Sequence, residues 1–257
     1  MKVRVISGII GLVILFTVVL VGGQVLNIST LLISFIGLYE FDRAVRKING
    51  LKPILVINYL FTICLYTLLM INKNNLFTLI LFIYIMSLLC LLVFDEKVKI
   101  SDIAVTALGA LYIPFSISHI ALLGGSIYIW LVFITAWGTD TFAYFVGVNF
   151  GKRKLCPNLS PNKSIEGSFG GILGSLCLAL IFSFYFKLDN VFGIAVLSII
   201  CSVMAQIGDL TASRIKRLAN IKDYGKIMPG HGGILDRFDS ILFTGPLVYY
   251  YIALFVL

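Results

Sequence analysis

The sequence predicts an all-α polytopic membrane protein of about nine transmembrane helices, with a cytoplasmic N-terminus and a C-terminus on the outer side. Three observations predict this. Of 257 residues, 60% are apolar and 12% charged, and the mean hydropathy is +1.03; a soluble domain carries about a quarter charged residues and under half apolar ones. The apolar excess is spread along the whole chain, which excludes a soluble domain on a single anchor. The basic residues, finally, divide unevenly between the two sides of the topology that the apolar runs define.

A helix needs about 20 residues to cross roughly 30 Å of hydrocarbon. Runs of that kind recur at 5–22, 25–41, 54–72, 76–94, 103–123, 127–147, 168–186, 191–211 and 240–257. The first follows Met1-Lys2-Val3-Arg4 and has the look of a signal peptide. No clear small-x-small cleavage site follows it and eight more runs do, so it is read as a retained helix. The second run opens on Gln24, Asn27, Ser29 and Thr30, and the fifth is interrupted by Pro114. These two have the least regular pattern. The chain is divided at residue 125, into N-terminal helices 1–5 over 1–125 and helices 6–9 with their cytoplasmic loops, the catalytic part, over 126–257.

With the N-terminus on one side and the helices alternating, that side receives 18 of the 20 Lys and Arg residues. They are Lys2 and Arg4; Arg43, Arg46, Lys47 and Lys52; Lys97 and Lys99; Lys152, Arg153, Lys154 and Lys163; and Arg214, Lys216, Arg217, Lys222, Lys226 and Arg237. Lys73 and Lys187 fall on the other. The positive-inside rule makes the basic side cytoplasmic. A net charge of +8 confined to one membrane face is a topology signal, and no nucleic-acid partner is expected. The loops on the outer side are a few residues each, so chemistry is expected within the membrane or at its cytoplasmic face. The five cysteines, at 64, 90, 156, 177 and 201, include no CxxC pair; four lie in apolar runs, and neither disulfide nor zinc site is expected.

Three polar groups are unexplained by membrane insertion. A charge inside a span costs on the order of 2.5–3.5 kcal/mol and usually serves function. Asp140 in the sixth run is such a charge, with Tyr144 four residues on along the same helix face; the competing explanation is one buried Asp capped by hydroxyls for packing. The second group is the basic, turn-rich loop 151–167, where Ser164, Glu166 and Gly167 start a helix able to present N–H groups to an anion. Lys152 to Lys154 need no explanation beyond the charge rule. Gly167, Gly170, Gly171 and Gly174 form overlapping GxxxG pairs, read as helix-packing contacts; they also permit a homodimer.

The third group is the densest. Asp209, Ser213 and Lys216 recur at i, i+4 and i+7 and line one helix stripe. A carboxylate, a hydroxyl and an ammonium on one stripe suit a divalent cation beside a phosphate. Pro229, Gly230, Gly232 and Gly233 around His231 keep the next stretch from being helical and let its backbone approach a ligand. Asp236 reopens a helix, with Asp239 three residues on. Two carboxylates from different segments, Asp209 and Asp236, amid six Lys and Arg, have the composition of a magnesium–polyphosphate site. A solvated basic loop would explain the cations but neither His231 nor the aspartates.

This stretch, Ser213-x-Ile215-Lys216-Arg217-x4-Lys222-Asp223-x-Gly225-x3-Pro229-Gly230-His231-Gly232-Gly233-x2-Asp236-Arg237-x-Asp239, closely resembles the signature of phosphatidate cytidylyltransferases, or CDP-diacylglycerol synthases. Met228 stands where a branched apolar residue or Phe is usual. Upstream, Asp140-x2-Ala143-Tyr144 and Ser160-Pro161-x-Lys163-x2-Glu166-Gly167-x2-Gly170-Gly171 are similar to further family blocks, with Asn162 for the commoner Lys and Ser164 for the commoner Thr. The resemblance covers about residues 137–240; before that it extends only to hydropathy.

The resemblance implies a multi-pass membrane enzyme that joins CTP to phosphatidate with Mg²⁺, giving CDP-diacylglycerol and pyrophosphate. It implies that Asp209 and Asp236 hold the catalytic cations, Mg²⁺ and a second, monovalent one such as K⁺. Lys216, Arg217 and His231 would stand near the nucleotide phosphates, with Lys216 and His231 in the catalytic set. Asp140 and Lys163 would complete the polar cavity, with Glu166, Ser213, Lys222, Asp223, Gly232, Gly233, Arg237 and Asp239 as further substrate-binding residues. The expected location is a cell inner (plasma) membrane with the active site on the cytoplasmic side. Two rival functions remain at this stage: a CTP-dependent lipid kinase, which would release CDP, and an anion transporter, against which the absence of an internal repeat argues.

Overall fold

A computed structural model describes residues 2–48, 50–157 and 159–256, with side chains from residue 6 onward. Met1, Asn49, Asn158 and Leu257, and the side chains of Lys2 and Arg4, lie outside the described residues. In chain order the elements are α1 (Lys2–Val21), α2 (Gly23–Val45), α3 (Leu55–Met70), α4 (Phe77–Phe94), α5 (Ile100–Ala110), α6 (Ser116–Leu122), α7 (Ile129–Phe150), a hairpin of β1 (Lys154–Cys156) and β2 (Ser160–Ser164), α8 (Ile165–Tyr185), α9 (Val191–Leu218), α10 (Leu235–Phe238) and α11 (Ile241–Phe255).

Among the described residues, each of the nine apolar runs is helical. Six of the helices are long and apolar enough to cross a membrane, and Ile6–Val21, Leu55–Met70 and Ile241–Phe255 are shorter apolar helices. The fold is all-α and polytopic, with large apolar side chains turned outward. On α4 only Tyr84 and Leu88 are buried, while Phe82, Ile83, Leu89 and Val93 are exposed, as a lipid-facing helix requires. The two irregular runs have local explanations. Pro114 lies in a π-turn, Leu111–Phe115, between α5 and α6; the widened turn accommodates a residue without an N–H, and the Ser116 hydroxyl donates to the Leu111 carbonyl at 3.1 Å. In α2 the polar residues bond back into the helix, Thr30 to the Leu26 carbonyl at 2.7 Å and Ser34 to that of Thr30 at 2.8 Å.

The packing divides the chain into two compact units, Met1–Gly125 with Ile215–Arg237, and Ser126–Arg214 with Phe238–Leu257. The boundary falls inside α9, and residues 215–237 pack with the N-terminal helices. In the first unit Phe61, Leu65, Tyr84, Leu88, Ile103 and Ala110 form a core between α3, α4 and α5. The Tyr84 hydroxyl donates to Asn58 Oδ1 at 2.7 Å, and Asn58 Nδ2 donates to the Thr106 carbonyl at 3.0 Å, so these buried polar groups satisfy one another. Buried Asp102 accepts the backbone N–H of Lys52 at 2.7 Å and of Lys99 at 3.2 Å. Two loops assigned to the basic side are thereby tied at one end of this unit. At its other end Gln24 Nε2 donates to the Met70 carbonyl at 3.3 Å, and a side chain added at Gly124 would meet Leu26 at 3.0 Å.

In the second unit α7 and α8 lie against each other along the glycine stripe. A Cβ built at Gly170 would meet Val146 Cβ at 2.5 Å, one at Gly171 the Thr139 carbonyl at 2.9 Å, and one at Gly174 would fall on the Phe142 ring. The stripe is therefore filled within the chain, the close-approach use of GxxxG. Gly174→Ala is expected to lower the detergent-solubilised melting temperature by about 3–10 °C, the effect of overpacking worth about 1–3 kcal/mol. An unchanged melting curve would show that the two helices part without penalty. The loop before α8, legible in sequence only as turn-rich, folds as an antiparallel hairpin pairing Lys154 with Ser164 and Cys156 with Ser160.

Candidate functional site

In the first unit the signature loop is organised around Asp236, which is 8% exposed. Its Oδ1 accepts from Lys216 Nζ at 2.7 Å. Its Oδ2 accepts the backbone N–H of Tyr224 at 2.8 Å and of Gly233 at 2.9 Å. Lys216 also lies 5.5 Å from the centroid of the Tyr224 ring, a cation–π distance. The loop is non-helical for the reason its sequence suggests: Gly230 and Gly232 have φ of 78° and 91°, values that favour glycine, and Met228 and Gly232 close a one-pair bridge. A Cβ at Gly232 would also meet Asp236 Oδ2 at 2.8 Å.

His231 Nδ1 lies 2.9 Å from the Ser7 hydroxyl of α1, which donates to the Pro229 carbonyl at 3.0 Å. With the hydroxyl proton on that carbonyl, the hydroxyl oxygen accepts from His231 Nδ1–H. Arg237 Nε donates to the His231 carbonyl at 3.1 Å. Arg217, Lys222, Asp223 and Arg237 are exposed, with Asp223 Cβ 3.4 Å from where a Gly232 side chain would begin.

Two residues of α2 that sequence reasoning did not select hold this loop from behind. Glu40, 2% exposed, accepts the N–H of Ile234 at 3.1 Å and of Leu235 at 2.9 Å. Arg43 Nη2 donates to the Tyr224 carbonyl at 2.7 Å. The signal was present: Glu40 is the one acid in the apolar run 25–41, and the rule that singled out Asp140 applies to it equally.

In the second unit Lys163 and Asp209 form an ion pair, each side chain 28% exposed. The Ser213 hydroxyl donates to Asp209 Oδ1 at 3.4 Å, as their spacing on one stripe of α9 suggests. Glu166 is turned to its own loop: its carboxylate accepts the N–H of Lys152 at 3.0 Å and of Arg153 at 3.2 Å. The Gly167 N–H is taken by the Ser164 side chain at 3.1 Å, which caps α8. At the start of α11 the Asp239 side chain accepts the Ser240 N–H at 2.8 Å, and the Ser240 hydroxyl lies 3.4 Å from exposed Asp140.

The donor chemistry fits magnesium. Among the described residues no three His, Cys, Asp or Glu side chains gather as a cage, and a nucleotide-bound Mg²⁺ needs none, since one or two carboxylates, waters and substrate phosphates complete its shell. Asp209 and Asp236 are hard oxygen donors, each now balanced by one lysine ammonium.

The fold is that of a polytopic helical membrane protein whose glycine-rich loop sets a lysine against a buried carboxylate. The chain belongs to the cytidylyltransferase family, whose model matches residues 2–255. It is 32% identical to the phosphatidate cytidylyltransferase of Bacillus subtilis over 99% of this chain and 98% of that one. It is 34% identical to the phosphatidate cytidylyltransferases of Staphylococcus haemolyticus and Staphylococcus aureus, over 96% of this chain and 97% of each of theirs. The resemblance that the sequence shows over 137–240 thus extends through the first five helices.

Proposed function

We propose that the chain transfers CMP from CTP to phosphatidate, giving CDP-diacylglycerol and pyrophosphate, in a cell inner (plasma) membrane and with its reacting groups on the cytoplasmic side. The observation that carries this reading is the near full-length similarity to phosphatidate cytidylyltransferases. The one-sided distribution of basic residues supports the orientation.

In this reading the phosphatidate phosphate, already anionic, attacks the α-phosphorus of CTP and needs no strong general base. Lys216, and the Lys and Arg residues around it, supply fixed positive charge to the phosphates. Asp209 and Asp236 would each offer a carboxylate to Mg²⁺, with a monovalent cation such as K⁺ as a second candidate. Mg²⁺ bound there would supply positive charge to the α-phosphate and to the departing pyrophosphate. His231, in the same loop as Asp236, is oriented by Ser7.

Purified protein in detergent, given radiolabelled CTP, phosphatidate and Mg²⁺, is expected to yield CDP-diacylglycerol and pyrophosphate. Chelation of divalent cations is expected to stop turnover and re-addition of Mg²⁺ to restore it. Release of CDP would instead identify γ-phosphate transfer to a lipid, and solute flux into liposomes without CTP consumption would identify a transporter. Either result overturns the proposal.

A further inference from the structure

We propose that Glu40 of α2 is a positioning residue for cytidylyl transfer: its buried carboxylate holds the loop backbone that carries Asp236 in its binding-competent form before CTP arrives. The proposal rests on the reading of this loop as part of the CTP site.

Three successive N–H groups are pinned by carboxylates. Gly233 donates to Asp236 Oδ2 at 2.9 Å, Ile234 to Glu40 Oε1 at 3.1 Å and Leu235 to Glu40 Oε2 at 2.9 Å. Tyr224 is held through both of its backbone polar groups, its N–H by Asp236 and its carbonyl by Arg43, one turn along α2 from Glu40. Glu40 also explains two glycines of the signature that no turn requires. A Cβ at Gly225 or at Gly233 would fall on the Glu40 carboxylate, and neither residue has positive φ. Their role is to let two strands of the loop close around one buried anion. Removing a partner from such an arrangement leaves buried N–H groups unmet, so the loop would sample other forms. Apparent affinity then falls in proportion to the competent fraction, while turnover by the competent fraction is unchanged.

The test is Glu40→Gln, which keeps the side-chain volume but sets an amide donor against N–H donors. If the competent loop falls to about a tenth of the population, KM for CTP rises about tenfold while kcat changes less than about threefold. Hydrogen exchange, read without turnover, should show peptides covering 222–236 exchanging faster in the variant, with saturating CTP restoring protection. Gly233→Ala, which displaces the same carboxylate from the other side, should raise KM similarly, and the double variant should fall short of the product of the two effects. A variant with wild-type KM for CTP and only a lower melting temperature or lower active fraction would show that Glu40 merely stabilises the fold, and would overturn the proposal. A wild-type protein that does not turn over CTP with phosphatidate would instead overturn the functional reading on which it rests.

Discussion

Asp236→Asn is expected to abolish measurable CDP-diacylglycerol formation and also to destabilise the protein. Both carboxylate oxygens are engaged, one by the Lys216 ammonium and the other by two backbone N–H groups. Either orientation of an amide therefore places NH₂ against a donor. Breaking a buried ion pair from one side costs about 3–5 kcal/mol, and losing a charge that acts in the transition state lowers kcat by at least about 100-fold. The two effects separate in the double variant Asp236→Asn, Lys216→Met. Removing the stranded ammonium should return part of the melting temperature and none of the turnover. Labelled-CTP turnover beside a thermal melt in detergent reads both, and full activity in Asp236→Asn would remove Asp236 from the cation assignment.

Asp209→Asn is expected to separate chemistry from stability without a second substitution. The Lys163–Asp209 pair is more than a quarter exposed on both sides, so its loss should cost no more than about 1 kcal/mol, a shift of about 2–4 °C at this chain length. Turnover should nonetheless fall at least about 100-fold if the carboxylate holds a cation at the reacting phosphates. The diagnostic outcome is a well-folded, inactive protein whose residual activity responds weakly to added Mg²⁺. Wild-type activity at wild-type Mg²⁺ concentrations would leave Asp209 with its lysine and hydroxyl partners alone.

The contrast between these aspartates was not legible in sequence, where both are acids at the edge of a polar stretch. The helices were legible because lipid contact demands continuous apolar runs, and continuous runs can be read without knowing what they pack against. Glu40 shows the limit of that reading. It was visible as an acid in an apolar run, but its partners lie 194 and 195 residues away, and sequence spacing carries no information about such a pairing. Glu166 shows the converse: its place at a helix start is legible in sequence, while the uptake of its carboxylate by the backbone N–H groups of Lys152 and Arg153 is not.

Hydropathy is a property of each segment by itself, and so the helical, polytopic membrane character and the signature residues follow from the residue order alone. Burial and hydrogen bonding belong to pairs of segments. Only packing decided that α1 and α2 support residues 224–235, that Asp236 is enclosed while Asp209 stays partly open, and that glycines 225 and 233 are small because a distant carboxylate lies against them. The basic cluster between Arg214 and Arg237, which first appears as surplus charge, becomes specific through those contacts. Within the first unit one lysine of the cluster, Lys216, is drawn inward to a buried acid, while Arg217, Lys222 and Arg237 stay exposed.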